Sequence, residues 1–318
     1  MDNKFLRYKK NYVCLGTWSL GGYSSKNKSY KKLSKKNIFR ILDEALEKNI
    51  KFFDTAPVYG QSEKYLGECI KNFREKVVIA SKIGCIDYKK KPNFDKKSVS
   101  DQFEKILKNL RTDYIDIIQL YNPNPNDKNI LKAIEVLEKF KLNKKINTIG
   151  VTLSKPEDYL ILREKYKFKF VQSNFNILDH RLISNQILKK IKQDKAKIYA
   201  RTILNFGIFT EFFLNRKNHI FDKSDHRYNW DFQQIERWKS HAKMIKTLLQ
   251  DDIENIAYRF VNSFDINGII IGATKKEHIN KLFNKKNFIK LKNSELNQIF
   301  KIYNYYSKEK LRKPKYII

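Results

Sequence analysis

Eight short apolar runs, each rich in β-branched or aromatic residues, recur along the chain with helical patterns between them, and this alternation constrains the fold more than any other feature. The runs are YVCLG (12–16), IKFFD (50–54), VVIASK (77–82), YIDIIQLY (114–121), INTIGVT (146–152), FKFVQSN (168–174), AKIYAR (196–201) and NGIIIGA (267–273), and their length and composition are those of strands. Between them apolar residues return at i, i+3, i+4 and i+7. Examples are Ile38, Ile41, Leu42 and Ala45 behind Ser34 as N-cap, and Phe103, Ile106, Leu107 and Leu110 behind a capping box at Ser98 to Asp101. Further helical faces run over 130–140, 155–166, 183–193, 235–260 and 276–282. Strands alternating with helices imply parallel pairing through crossovers. Eight such units closing on themselves make an α/β fold, the (β/α)8 TIM barrel, as a single domain over residues 1–318. The rival is a doubly wound open sheet, which carries a glycine fingerprint after its first strand. None of the ten glycines forms GxGxxG or a P-loop.

Lysine and arginine total 66 against 34 acidic residues, a formal net charge of +32 that raises the question of a polyanionic partner. The lysines are scattered over every helix and loop, with no arginine-rich block, zinc-finger spacing or RNP-like strand. The charge therefore predicts weak, salt-sensitive sticking to polyanions and no dedicated nucleic-acid function. Three cysteines without CxxC spacing suit a reducing compartment. No apolar run approaches the length of a membrane span and the first residues hold no apolar h-region, so the sequence predicts a cytoplasmic protein with no membrane partner. No cluster of His, Cys, Asp and Glu has metal-ligand spacing, so no metal is expected.

Barrel enzymes keep their chemistry at the C-terminal ends of the strands. With strand ends near 16, 54, 82, 121, 152, 174, 201 and 273, those positions read Thr17 with Trp18, Asp54, Lys82, Tyr121 with Asn122, Thr152, Gln172 with Asn174, Arg201, and Gly272-Ala273-Thr274. Nearly all are polar at the end of an apolar run, which packing alone explains poorly. Lys82 is the sharpest case, because it follows Val77-Val78-Ile79-Ala80 and is expected to point into the barrel mouth.

The stretch Asp54-Thr55-Ala56-Pro57-Val58-Tyr59-Gly60 with Glu63, Leu66 and Gly67, then Ser81-Lys82, Gln172 and IIIGATKKEHI, resembles the aldo-keto reductases of bacterial type, over about residues 12–290. The resemblance implies a barrel that binds NADP(H) without a Rossmann domain and moves hydride between nicotinamide and a small carbonyl substrate. It places Asp54, Tyr59 and Lys82 in a catalytic tetrad, with Tyr121 where these reductases usually carry a histidine. None of the five histidines, His180, His219, His226, His241 and His278, falls at a matching strand end. A carbonyl accepting hydride needs a proton donor at its oxygen. Tyr59 is the expected acid, Lys82 is expected to lower its pKa, and Asp54 to hold the lysine.

The same resemblance implies a cofactor-binding set. Gln172 matches the glutamine at the nicotinamide amide, with Thr152 in the same region, and Arg201 lies where many relatives stack an aromatic ring. The backbone of Gly272, Ala273 and Thr274 suits a phosphate, and Lys275 with His278 suits a 2′-phosphate, which favours NADP(H) over NAD(H). Thr17, Trp18, Asp54, Asn122 and Gly207 complete the set. Residues of about 204–233 show no clear helix or strand pattern and resemble the loop that closes over the cofactor, through Gly207-Ile208-Phe209-Thr210 and Asp225-His226-Arg227. The expected function is reduction of a polar, sugar-like carbonyl. The alternative is a nucleotide-binding sensor or partner-binding module on the same barrel that turns over slowly.

Overall fold

Eight parallel strands hydrogen-bond in chain order and close into a barrel in the computed structural model, which describes residues 12–22, 29–30, 32–217 and 221–308. They are β1 (Val13–Gly16), β2 (Phe52–Asp54), β3 (Val78–Ile83), β4 (Ile115–Tyr121), β5 (Ile146–Leu153), β6 (Phe170–Asn174), β7 (Lys197–Arg201) and β8 (Gly268–Gly272), with β8 pairing back onto β1. This is the (β/α)8 barrel expected from the alternation, in one domain. Each predicted run overlaps its strand, with bounds that differ by two residues or fewer; β3 and β5 each run one residue past the predicted end.

The period-two alternation of a strand sends successive side chains to opposite faces of the barrel wall. Ile79, Ile118, Leu120, Val151, Val171 and Ile198 face the helices and join one continuous core, each fully buried. Their neighbours of opposite parity face the barrel axis. Near the N-terminal ends these are apolar: Cys14, Phe52, Ala80, Phe170, Tyr199 and Ile270 form an inner plug. A Cβ on Gly268 would lie 2.3 Å from the Tyr199 ring and one on Gly150 2.7 Å from the Phe170 carbonyl oxygen, so these glycines make room for the plug. One pleat further along, the same parity carries Asp54, Lys82, Gln119 and Gln172, with Lys82 paired to Gln119 and Thr152 to Gln172 across neighbouring strands. A slip of one residue would turn all of them into the apolar shell, so the outer core fixes the register that holds the polar layer inside.

The helices follow the predicted faces with four corrections. Ser34 caps α1 (Lys35–Glu47) as expected, its hydroxyl accepting the Asn37 amide. The helix α3 (Lys96–Leu110), which follows α2 (Ser62–Ile70), begins earlier than the capping box at Ser98 implied. Asp95 is its N-cap and accepts the Ser98 amide at 2.8 Å, because a carboxylate ahead of the helix outcompetes a hydroxyl within it. After α4 (Ile130–Leu142), the segment 155–166 opens as a tight turn over Pro156–Asp158 and continues as α5 (Tyr159–Lys165). Similarly, 183–193 yields only α6 (Ile187–Gln193), since Asn185 and Gln186 take left-handed backbone. The loop at 204–233 is more ordered than its pattern suggests: it holds α7 (Glu211–Leu214), a 3-10 turn at His226–Asn229, and buried Phe209, Phe213 and Phe221. His219 lies outside the described residues. The face at 235–260 is two helices, α8 (Phe232–Leu249) and α9 (Ile253–Asn262), separated where Gln250 turns to φ 50°. The chain ends its described part with α10 (Lys276–Leu282) and α11 (Asn293–Lys308). No helix among the described residues is long and apolar enough to cross a membrane.

Candidate active site

The polar layer centres on one buried ion pair. Lys82, at 1% exposure, donates to Asp54 Oδ2 at 2.5 Å and to the Thr55 carbonyl at 2.9 Å. Asp54 Oδ1 accepts from Gln172 Nε2 at 2.8 Å and from Gln119 Nε2 at 3.3 Å. Thr152 Oγ1 donates on to Gln172 Oε1 at 3.4 Å. Five side chains from β2 to β6 thus form one network around a carboxylate that would otherwise be costly to bury. Gln119 is its member that sequence reasoning missed; an inward parity two residues before Tyr121 was the available signal. Gln172 and Thr152 are turned toward Asp54, so both ends of the Gln172 amide are engaged inside the protein. Thr17, fully buried, donates its hydroxyl to the Asp54 carbonyl at 3.0 Å and so holds the strand end rather than facing the opening.

Above this layer lie three phenols. Tyr59 and Tyr121 are buried with Ala56, Val58 and Cys85, and Trp18 and Tyr88 pack at their edge. The Lys82 ammonium sits 4.8 Å from the Tyr59 ring centroid. Burial raises the Tyr59 phenol well above its ordinary pKa, and the Asp54 charge raises it further; the Arg201 charge and the neighbouring Tyr121 hydroxyl act the other way. Burial and the Asp54 charge thus outweigh the lowering expected of Lys82, and Arg201 is a further positive charge acting on the phenol. Tyr121 is likewise raised by burial first, with Arg201 again opposing.

Backbone contact sets the position of Tyr59. A Cβ on Gly21 would lie 1.4 Å from the Tyr59 carbonyl oxygen, and one on Gly60, at φ +64°, would lie 2.4 Å from the Gly21 carbonyl oxygen in return. The Gln61 amide donates to that Gly21 carbonyl at 3.0 Å. The turns after β1 and β2 are thus locked together, an approach only glycine permits. On the outer side of β3, buried Glu63 accepts from Ser81 Oγ at 3.0 Å and Asn109 Nδ2 at 3.0 Å, and burial pushes its carboxyl up to about 7. Ser81 precedes Lys82, so Glu63 ties α2 to the strand that carries the lysine.

Three buried polar atoms at the strand ends have no hydrogen-bond partner: Asn122 Oδ1, Asn174 Oδ1 and Arg201 Nε. Gly272 faces open space, with no atom within 4 Å of an added Cβ. After β7 the backbone takes positive φ at Thr202, Asn205, Phe206 and Gly207. Such unmatched acceptors and donors around an opening fit a ligand that offers both kinds of group, as a carboxamide does. Beyond β8, Ala273 is buried and its carbonyl accepts from Ser19 Oγ, while Lys275 and His278 are exposed. The Thr274 amide is taken by His278 Nδ1 at 3.4 Å, and partial desolvation of the imidazole, though the residue as a whole is exposed, together with Lys275 and Lys281 lowers the His278 pKa. The cationic groups open to an anion there are lysines.

The long loop reaches the turn after β1. The His226 amide donates to the Ser29 carbonyl at 2.8 Å, and Ser29 Oγ donates to the Trp18 carbonyl at 2.8 Å. The His226 ring packs on Trp18 at 4.6 Å and on Tyr30 at 4.9 Å. It is 6% exposed, neither ring nitrogen has a hydrogen-bond partner, and burial lowers its pKa to about 3. Arg227 pairs with Asp225 at 2.7 Å and donates to the Phe206 carbonyl at 3.0 Å, beside Gly207. A histidine therefore does approach the site, from the loop rather than from a strand end. Among the described residues no group of three or more His, Cys, Asp and Glu could hold a metal ion.

A closed (β/α)8 barrel with a polar, partly unsatisfied mouth defines a barrel protein with a ligand site at the C-terminal ends of its strands. The chain belongs to the aldo/keto reductase family, whose family model matches residues 12–304, and is an oxidoreductase of that family. It is 26% identical to the uncharacterized oxidoreductase YqkF of Bacillus subtilis (strain 168) over 290 residues, 89% of this chain and 90% of that one. To the aldo-keto reductase YhdN of the same organism it is 28% identical over 266 residues, 78% and 76% of the two chains. In fold it is similar to the glycerol dehydrogenase AKR11B4 from Gluconobacter oxydans, with TM-score 0.73, 24% identity and coverage of 95% and 94%. The holo form of aldo-keto reductase AKR11C1 from Bacillus halodurans matches with TM-score 0.71, 20% identity and coverage of 92% and 91%.

Proposed function

We propose that this protein is a cytoplasmic enzyme that transfers hydride between NADP(H), in preference to NAD(H), and the carbonyl or alcohol carbon of a small, polar, sugar-like molecule. The observation that carries the reading is the Tyr59 phenol held at the mouth directly over the buried Lys82–Asp54 pair. When bound, the nicotinamide supplies or accepts the hydride. Asn122, Asn174 and Arg201, with their unpartnered atoms, are the residues for its carboxamide face, and Trp18 and Gly207 flank it; Thr152 and Gln172 act one step back, by orienting Asp54. Gly272, Ala273 and Thr274 line the way to Lys275 and His278, and the lysine charge there supports a 2′-phosphate.

Tyr59 donates its proton to the oxygen on which alkoxide charge develops. Arg201 stabilises the phenolate left behind, and Lys82, neutralised by Asp54, keeps the layer beneath it rigid. Tyr121 is a second hydroxyl donor toward the same oxygen, in the place where the family resemblance sets a histidine. A mouth lined by phenols, asparagines and an arginine suits a hydroxylated carbonyl compound.

The test is a panel of aldehydes, ketones and aldoses with NADPH or NADH, followed by loss of the reduced-nicotinamide absorbance. Tyr59→Phe is expected to lower turnover by about 100-fold or more while cofactor affinity stays nearly unchanged. Retained turnover would remove Tyr59 from the role of acid. A tight NADPH complex with no turnover on any carbonyl would support the sensor reading, which the burial-raised Tyr59 phenol favours.

A further inference from the structure

Arg201 ends β7 on the parity of Tyr199, a member of the inner plug, so its side chain faces the barrel axis at the mouth. It leans away from β8. Its Nη2 donates to the Leu153 carbonyl at 3.3 Å, at the end of β5, with β6 lying between the two strands. The guanidinium thereby reaches the side of the mouth where Tyr121 stands, since Tyr121 pairs with Thr152, the residue before Leu153. Tyr59 and Tyr121, packed in one cluster there, both feel its charge.

No carboxylate answers that charge. Arg74, Arg163, Arg181, Arg227 and Arg259 each pair with an acidic side chain, at 2.7 to 3.1 Å. Arg201 is half-buried, has no ion-pair partner among the described residues, and keeps a buried Nε without a hydrogen-bond partner. Asp54, the acid of the layer beneath, is already matched by Lys82 at 2.5 Å. A partly desolvated cation with unused donors costs free energy until an anion reaches it. A guanidinium also offers more N–H groups than one carboxamide oxygen can accept, so contact with the nicotinamide side chain leaves part of the fork open. Lys275, the cation proposed for the 2′-phosphate, lies beyond β8, on the side from which Arg201 turns away.

We propose that Arg201 is an anion subsite for the substrate, and that the sugar-like carbonyl compound of the hydride-transfer reading, on which this rests, carries a carboxylate or a phosphate. The anionic group docks on the open part of the guanidinium fork and so fixes the carbonyl oxygen beside the Tyr59 hydroxyl. The carbonyl carbon gains hydride from the reduced nicotinamide, its oxygen gains the Tyr59 proton, and the anionic group leaves unchanged.

Matched pairs of substrates read the subsite directly: succinic semialdehyde against butanal for a carboxylate, and glyceraldehyde 3-phosphate against glyceraldehyde for a phosphate, each followed by loss of NADPH absorbance. In at least one pair the charged member is expected to have the higher kcat/KM, by about tenfold to hundredfold and chiefly through KM, which is the scale of a hydrogen bond to a charged group. The pair that shows it identifies the anion. Arg201→Gln is expected to abolish the preference, and Arg201→Lys, which keeps the charge and loses the planar fork, to keep part of it. Whatever either substitution costs through the phenolate or the nicotinamide falls on both members of a pair and cancels in their ratio. No preference in the wild type, or one that Arg201→Gln leaves unchanged, overturns the anion subsite while the hydride-transfer reading stands.

A second arm needs no turnover. Calorimetric titration with succinate and with glycerol 3-phosphate, at about 0.15 M salt to screen the scattered surface lysines, is expected to show saturable binding that Arg201→Gln removes and Lys275→Gln keeps. Absent binding, or binding that survives Arg201→Gln, overturns the proposal. Binding that depends on Arg201 in a protein that reduces no carbonyl supports the anion subsite and rejects the hydride-transfer reading instead.

Discussion

Asp54→Leu isolates what the buried ion pair does for the fold. It leaves the Lys82 ammonium, 1% exposed, with the Thr55 carbonyl as its remaining hydrogen-bond partner. Breaking one side of a buried pair typically costs about 3–5 kcal/mol. An independent bound follows from the alternative open to the lysine, which is to fold neutral. With an ordinary lysine pKa of about 10.4, shedding the proton at about pH 7.5 costs about 4 kcal/mol, so the two routes agree. The second route fixes the sign with pH. The variant's folded state then binds fewer protons than its unfolded state, so its stability rises with pH, and about 2–3 kcal/mol of the deficit should be recovered by about pH 9.5. Lys82→Met should behave in the opposite sense, its deficit shrinking toward low pH as Asp54, still bonded by Gln119 and Gln172, accepts a proton. The double variant, with no buried charge left, should be more stable than the sum of the single losses by about 3 kcal/mol. Urea unfolding followed by circular dichroism at the two pH values measures all of these. A deficit in Asp54→Leu that ignores pH, together with additive single variants, would refute the argument that the pair is held by mutual neutralisation.

Two further perturbations test other parts of the site. Gly21→Ala forces its new Cβ against a carbonyl 1.4 Å away, so the Tyr59 turn must move by more than an ångström; a loss of about 100-fold in kcat/KM is expected, and near-normal kinetics would show that the locked turns do not position the phenol. His226→Phe replaces a ring whose nitrogens are unpartnered and whose pKa is about 3, against an ordinary value of about 6.5. Since the folded state binds fewer protons over that interval, the wild type loses stability as pH falls below about 6.5, by about 2 kcal/mol at pH 5, and the variant should lack that share of the acid sensitivity. Identical acid profiles in thermal unfolding would contradict the burial of a neutral His226.

Which parts of this molecule were legible in the sequence follows from where each contact is encoded. Strand parity lies within five or six consecutive residues, so the inward Asp54, Lys82, Tyr121 and Gln172 stood out as polar ends of apolar runs, and the barrel places the network of Asp54, Lys82 and Gln172 as that parity requires. Gln119 has the same parity but sits mid-strand, among Ile117, Ile118 and Leu120, where a single polar residue carries no marker of its partner 65 positions away. Gly21, Tyr88 and His226 reach the site from turns and loops, through contacts set by tertiary approach alone, and no periodicity exists there to read. Thr17, Thr152 and Gln172 show the limit of such a reading: a strand-end position shows that a side chain is near the mouth, but not which neighbour inside the protein engages it, as Asp54 does for Thr17 and Gln172, and Gln172 for Thr152.

That distinction bears on how the site works. A polar group at the mouth serves a ligand only to the degree that the protein leaves it unmatched, and here the two kinds are sorted by depth. The layer of Asp54, Lys82, Gln119 and Gln172 is bonded to itself, save for Gln119 Oε1, and is correspondingly rigid. The unpartnered atoms of Asn122, Asn174 and Arg201 stand at the strand ends beyond it. Reversing the order would bury unmatched groups where water cannot reach them, at about 1–3 kcal/mol each, and would leave the opening with nothing to offer a carboxamide or a hydroxylated carbonyl. The apolar shell that fixes strand register makes this arrangement possible, because it alone decides which residue of each alternating pair is inside. A substitution that weakens register, far from the mouth and in contact with no polar residue, should therefore damage the site before it unfolds the barrel.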